Sequence, residues 1–61
     1  MDKEILTRFL NRKIILINDE HFALHGKITG IYEDYIEFFT DGHVRILDFD
    51  RILEIRPYGG R

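Results

Sequence analysis

Residues 14–31 read IILINDEHFALHGKITGI, and the alternation within this stretch decides the fold class. Its first four residues are apolar and mostly β-branched, which is typical of a strand buried on both sides. From residue 22 onward the even positions all hold an apolar residue or glycine: Phe22, Leu24, Gly26, Ile28 and Gly30. The odd positions from 25 to 29 are polar. A period of two predicts a half-buried strand whose even face points inward, with the glycines allowing a sharp bend.

A short helix is the alternative assignment for part of this stretch. Asn18 can cap residues 19–25, DEHFALH, and Gly26 would end the helix. The apolar residues in it are contiguous rather than three or four apart, which favours the strand. His21 and His25 would converge on a metal ion only in the helix, because four residues of strand span about 13 Å. We therefore expect exposed, solvated histidines and no metal site.

Turn signals divide the rest of the chain into short strands. Glu33 and Asp34 mark one turn, Asp41-Gly42 is a strong hairpin signal, and DFDRI at 48–52 breaks the alternation as a single tight turn would. Counting every second residue between these turns predicts that the following side chains point inward: Ile36, Phe38, Val44 and Ile46.

The first residues carry an apolar stripe at helical spacing, formed by Ile5, Leu6, Phe9 and Leu10. We predict a single domain over residues 1–61, with a helix over about 2–12, a barrel over about 13–56 and a flexible tail over 57–61 that contains Pro57 and two glycines. The predicted fold class is mostly β, a small SH3-like or Sm-like five-stranded bent barrel with a short N-terminal helix.

Composition argues against enzymatic activity. The chain has no serine and no cysteine, which excludes serine and cysteine nucleophiles, and it has no glycine-rich phosphate loop. Carboxylates such as Asp48 and Asp50 need a deep cleft to act as acid and base, and a barrel of 61 residues offers none. We predict a protein that is not an enzyme and that takes no cofactor.

The order of elements resembles the Sm-like superfamily, which includes Hfq, over roughly Ile5 to Ile55. The positions that match its strand–turn–bent-strand pattern are Ile14, Leu16, Asp19, Leu24, Gly26, Ile28 and Ile31. The resemblance implies a homo-oligomeric ring that binds single-stranded RNA. The same strand spacing is similar to other small barrels, including the Rho-inhibitor family and the YolD-like proteins, which mostly act by binding a partner.

The RNA-binding motifs of this chain diverge from those of the Sm-like superfamily. Residues 31–37, IYEDYIE, lack the family's asparagine, and residues 48–51, DFDR, stand where it has Arg-Gly or Tyr-Lys-His. The formal net charge is −2, so RNA binding would depend on a local basic patch. The candidate RNA-binding residues are Arg8, Arg12, Tyr35 and Arg56, which combine phosphate-binding cations with a ring for base stacking.

A second function class is protein–protein interaction. If even positions fill the barrel, large apolar groups remain on the outside at Ile31, Tyr35, Phe39 and Leu47. Such a surface, together with free strand edges, predicts a homo-oligomer or a protein adaptor that binds no nucleic acid. No signal-peptide pattern or membrane-spanning run is present, so we expect a cytoplasmic protein with no membrane partner.

Overall fold

Five antiparallel strands form a single sheet in the computed structural model, which describes residues 1–58. The elements are helix α1 (Lys3–Thr7), strands β1 (Lys13–Asn18), β2 (Ala23–Ile31), β3 (Tyr35–Thr40) and β4 (His43–Asp48), a 3-10 turn (Phe49–Arg51) and strand β5 (Ile52–Pro57). The order across the sheet is β4-β3-β2-β1-β5. The mostly-β class with a short N-terminal helix is confirmed. No pairing joins β4 to β5 among residues 1–58, so closure into a barrel stays a prediction.

The N-terminal helix is shorter than predicted. It ends at Thr7 rather than near residue 12, because the backbone tightens into 3-10 bonds and Asn11 then adopts a left-handed φ of 63°. Leu10, the residue before Asn11, forms an isolated β-bridge with Ile28 of β2. Of the predicted stripe, Leu6 is fully buried and anchors the helix to the core, which suffices to hold so short an element.

One side chain supplies two of the hydrogen bonds in the turn between β1 and β2. The Asn18 amide oxygen accepts hydrogen bonds from the backbone N–H groups of Glu20 and Phe22 at 2.9 and 3.0 Å. His21 adopts a φ of 66°, and β2 begins at Ala23. The predicted strand is therefore confirmed and the helix over 19–25 is wrong. Phe22, predicted inward, is 61% exposed because it still belongs to the turn.

The hairpin between β3 and β4 reverses the predicted inward and outward positions of β4. Asp41 and Gly42 both have positive φ, so only two residues separate the paired Thr40 and His43. A two-residue turn pairs each even position with an odd one. Leu47, predicted outward, therefore lies inward and is 6% exposed. By the same reversal, Val44 and Ile46, predicted inward, are exposed.

A β-bulge in β2 explains a second wrong prediction, that for Ile31. Ile28 pairs with Phe38 but Gly30 pairs with Glu37, so Thr29 has no partner and the alternation of β2 shifts by one. Ile31 consequently lies opposite Ile36 and packs against the core, whereas it was predicted to point outward. Gly30 moves to the outer face for the same reason.

The core lies on the inner face of the bent sheet, under α1. Its buried residues are Leu6, Ile14, Leu16, Ile28, Ile36, Phe38, Leu47 and Ile52. Pro57 still belongs to β5, where it pairs with Ile14, and Tyr58 contacts His25, so the predicted flexible tail over 57–61 begins too early. Its remaining residues, 59–61, lie outside the described part of the chain.

Candidate functional site

The outer face of the sheet brings two lysines together. Lys13 of β1 lies directly opposite Lys27 of β2, and Lys27 in turn lies opposite Phe39 of β3. Directly opposed residues in antiparallel strands have Cβ atoms about 4.5–5.5 Å apart on the same face. Two ammonium groups and a 43% exposed aromatic ring thus form one row across three strands.

Beside this row lies a hollow of about 230 Å³, here called the outer groove. Gly26 lies among its lining residues and adds no side chain, and the polar and aromatic groups around it are Lys13, His25, Lys27, Phe39, Asp41 and Tyr58. Drug-sized pockets are larger, at about 300–1,000 Å³. The outer groove therefore suits one flat ring or one small anionic group rather than an extended organic ligand.

Tyr58 closes one side of the outer groove. Its ring centroid lies 5.8 Å from that of His25 with the planes at 74°, an edge-to-face contact. The Lys13 ammonium lies 5.9 Å from the Tyr58 ring centroid, within the range of a cation–π interaction. Two separate contacts thus hold Tyr58 beside the lysines.

A smaller hollow of about 60 Å³ adjoins the groove and shares Lys13 and Tyr58 with it. Arg12 and Phe9 contribute to its wall. The cations Lys27, Lys13 and Arg12 therefore follow one path past the Tyr58 ring. Proteins that bind single nucleic-acid strands commonly combine a positively charged groove with aromatic rings on which bases stack.

One carboxylate opposes this charge. Asp41 lies at the β3–β4 turn and lines the outer groove near Phe39. Because an ionised carboxylate repels phosphate, Asp41 limits how strongly an anion can be held there.

The predicted RNA-binding residues do not form one cluster. Arg12 joins the smaller hollow, whereas Arg8 is exposed at the end of α1 and lines neither hollow. Arg56 donates from Nε to Glu54 Oε2 at 2.7 Å. That hydrogen bond and the opposite charge hold the pKa of Glu54 below its ordinary value and raise the pKa of Arg56. Arg56 is therefore already paired with a carboxylate on the protein surface.

Tyr35 lies apart from the cations. Its ring stacks on Tyr32 with centroids 4.9 Å apart and planes at 20°, and it pairs across the sheet with Asp48. The negative charge of Glu37, followed by burial, raises the pKa of Tyr32. One face of Tyr35 is thus occupied and its surroundings are acidic, which disfavours an RNA strand at this position.

The predicted interface residues also separate. Leu47 is buried in the core, Ile31 is half-buried against the core, and Tyr35 is half-buried against Tyr32. Phe39 alone of the four is exposed on the outer face as expected. The two inward positions follow from the bulge and the two-residue hairpin described above.

His21 and His25 occupy different parts of the structure. His21 is in the β1–β2 turn and His25 faces outward beside Tyr58. No cluster of three or more His, Cys, Asp or Glu side chains that could hold a metal ion occurs in residues 1–58. Within the same residues, none of the helices has the length and apolar character needed to cross a membrane.

Sequence reasoning missed three residues of the outer groove. From the sequence, Lys13 was placed only at the start of the barrel, Tyr58 fell in the tail, and Lys27 was one of the polar odd positions. Their proximity depends on the β1–β2 register, which follows from the Asn18 turn. An Asn followed by polar residues between two strands signals such a turn, but it leaves the number of turn residues open.

Comparison with known proteins adds no relative. No protein-family model, curated protein or solved structure matches this chain.

Proposed function

We propose that this chain is a non-enzymatic binding module for single-stranded RNA, which it holds in the outer groove. The observation that carries the proposal is the direct opposition of Lys13 and Lys27 beside two exposed rings, Phe39 and Tyr58. In this arrangement the lysines bind phosphate, and the rings stack on bases of any identity.

Lys13 and Lys27 support the proposal because the repulsion between them lowers the stability of the fold. Like charges directly across an antiparallel pair destabilise the sheet, and neither Lys13 nor Lys27 forms a salt bridge in residues 1–58. A bound phosphate between them would convert this repulsion into attraction. Local conflicts of this kind, in which a sequence departs from its own folding requirements, are expected at functional sites.

The net charge of −2 concentrates the interaction at the groove. Asp41 is the one carboxylate described above that lines the groove. The other acidic groups described above lie near the Tyr32–Tyr35 pair or beside Arg56: Glu37, Asp48 and Glu54. An RNA strand is therefore repelled from those parts of the outer face and attracted only where Lys27, Lys13 and Arg12 follow one another. Binding should be weak and steeply salt-dependent.

The test is binding of labelled oligo(U) and oligo(A) by fluorescence anisotropy at low salt. The double variant K13Q/K27Q removes both groove cations and should reduce affinity about tenfold or more. The matched control K3Q/R8Q removes two exposed cations of the N-terminal helix region and should bind as the native chain does. Equal losses in the two double variants, or no binding by the native chain at low salt, would remove the groove as the RNA site.

A second candidate function is that of a protein adaptor, and one observation favours it. Val44 and Ile46 are 56% and 58% exposed on β4, an edge strand of the sheet. Apolar side chains on a free edge are a recurring site of strand addition, whether by a second copy or by another protein. Self-association into a homo-oligomer, predicted from the sequence, stays a proposal.

A further inference from the structure

Strand β4 offers a regular free edge. It pairs with β3 over all six of its residues without a bulge. In a hairpin closed by a two-residue turn, Thr40 and His43 form the first hydrogen-bonded pair, so alternate residues of β4 bond to β3. The backbone N–H and C=O groups of Val44 and Ile46 therefore point away from β3, toward solvent.

The two faces of this edge differ in chemistry. Val44 and Ile46 lie on the outer face, opposite Phe39 and Glu37. Arg45 lies on the inner face, opposite the buried Phe38, and is itself exposed without a salt bridge in residues 1–58. An added strand must therefore place apolar side chains on one face and can place a carboxylate opposite Arg45 on the other.

The chain's own free edge, β5, does not meet this requirement. The outer face of β5 carries Glu54 and Arg56. If β5 of a second copy paired with β4 so that both cores lay on the same side of one continuous sheet, these two charged residues would lie against Val44 and Ile46. A register shift interrupts β5, and Pro57 lacks an N–H donor. The Glu54–Arg56 ion pair would also be desolvated by such pairing.

A second copy of β4 fits poorly in the register that pairs both of its exposed apolar residues. Two-fold antiparallel pairing that sets Val44 against Ile46 of the other copy places Arg45 directly against the same arginine. Like charges opposed in this way destabilise strand pairing.

We infer that the β4 edge accepts an extended segment of a different protein, in which apolar residues alternate with Asp or Glu. The segment adds antiparallel to β4, with apolar side chains beside Val44 and Ile46 and a carboxylate opposite Arg45. Backbone bonds to β4 supply affinity, and the alternation supplies specificity. This interaction is independent of RNA binding in the outer groove.

The experiment uses two blocked, fluorescently labelled heptapeptides, one alternating valine with glutamate and one alternating valine with lysine. The native chain should bind the glutamate peptide and discriminate against the lysine peptide about fivefold or more. R45E should reverse that preference, and the control R51E, an exposed arginine of the 3-10 turn, should leave it unchanged. Hydrogen exchange at the Val44 and Ile46 amides should slow when the glutamate peptide is added.

Several results would overturn the inference. Equal affinity of the native chain for both peptides, or no affinity for either, would remove the charge-matched partner without affecting the groove. Equal loss in R45E and R51E would show a non-specific effect of net charge. If the protein alone is an oligomer whose Val44 and Ile46 amides already exchange slowly, the occupant is a second copy. If R45E fails to fold, the native comparison and R45Q, which should lose the discrimination, decide the matter.

Discussion

Lys13 and Lys27 lie directly opposite each other on the exposed face of the sheet, because the register of β1 and β2 makes them partners. The turn side chain Asn18 fixes that register, since its amide oxygen holds Glu20 and Phe22 in place. A structural feature of the fold thus assembles the cationic part of the outer groove, at some cost to stability.

Replacing Lys27 should separate stability from binding. K27Q removes the repulsion with Lys13, so the free energy of unfolding should rise by roughly 0.2–1 kcal/mol. Affinity for oligo(U) should fall, and the slope of log affinity against log salt should become shallower by about 0.7, the value for one lost contact to a single strand. Urea denaturation and anisotropy titrations measure the two effects. Loss of both stability and affinity would instead indicate that Lys27 acts through the fold.

Neutralising Asp41 should strengthen binding. D41N removes the carboxylate that lines the outer groove, and asparagine suits the left-handed φ of 57° at this turn position. Affinity for oligo(U) should increase several-fold while the free energy of unfolding stays within about 0.5 kcal/mol of native. D19N, in the β1–β2 turn outside the groove, is the matched control and should leave affinity unchanged. Unaltered affinity in D41N would place the RNA elsewhere.

The close approach of β2 and β3 should make Gly26 sensitive to substitution. A Cβ atom there would collide with the carbonyl oxygen of Phe39, which is backbone and cannot move aside. G26A should lower the free energy of unfolding by about 3 kcal/mol or abolish the cooperative transition. In G30A the nearest atoms lie at 3.0 Å and belong to the mobile ends of Tyr32 and Glu37, so the loss should stay below about 1 kcal/mol. Chemical denaturation compares them, and equal losses would contradict the register.

The reversal of β4 predicts unequal effects for two neighbouring apolar residues. L47A empties a buried position and should lower the free energy of unfolding by about 2–4 kcal/mol. V44A alters an exposed outer position and should change it by no more than about 0.5 kcal/mol. A larger loss for V44A than for L47A would restore the original assignment, with Val44 inward.

The acidic surroundings of Tyr32 should be visible in its titration. The charge of Glu37 raises the pKa of Tyr32 above its ordinary value of 10.0, so the folded state keeps this proton longer than the unfolded state does. Stability associated with the proton is therefore present below about pH 10 and falls as pH rises past it. Phenolate absorbance should show a lower titration midpoint in E37Q than in native protein, and no change in E33Q. A midpoint unaffected by E37Q would contradict the stated cause.

Sequence patterns predicted the strands better than their faces. The run IILI correctly marked β1 as a strand, but Ile15 and Ile17 are only half-buried, so the prediction of burial on both sides was wrong. The alternation through Ile28 placed most of β2 correctly, because it follows directly from burial of one face. The errors began where a single residue shifts the phase. Thr29 is bulged, and nothing in the alternation marks it, so Ile31 was placed on the wrong face.

The error at β4 was avoidable in physical terms. Asp41-Gly42 is itself the signature of a two-residue turn, and such a turn must pair even with odd positions. Applied to Phe38 and Ile36, that rule places Leu47 inward. The outer groove, by contrast, depends on the length of the Asn18 turn and on the position that Tyr58 takes after Pro57. Both are settled by tertiary contacts that local patterns do not contain.

An amide NMR titration of the native chain with short oligo(U) at low salt tests the proposed function most directly. We expect shift changes that disappear as salt rises and that are confined to the groove and the adjoining hollow, at Arg12, Lys13, His25, Lys27, Phe39 and Tyr58. Changes centred on Tyr32 and Tyr35 instead, or a spectrum that RNA leaves unaltered, would contradict the account.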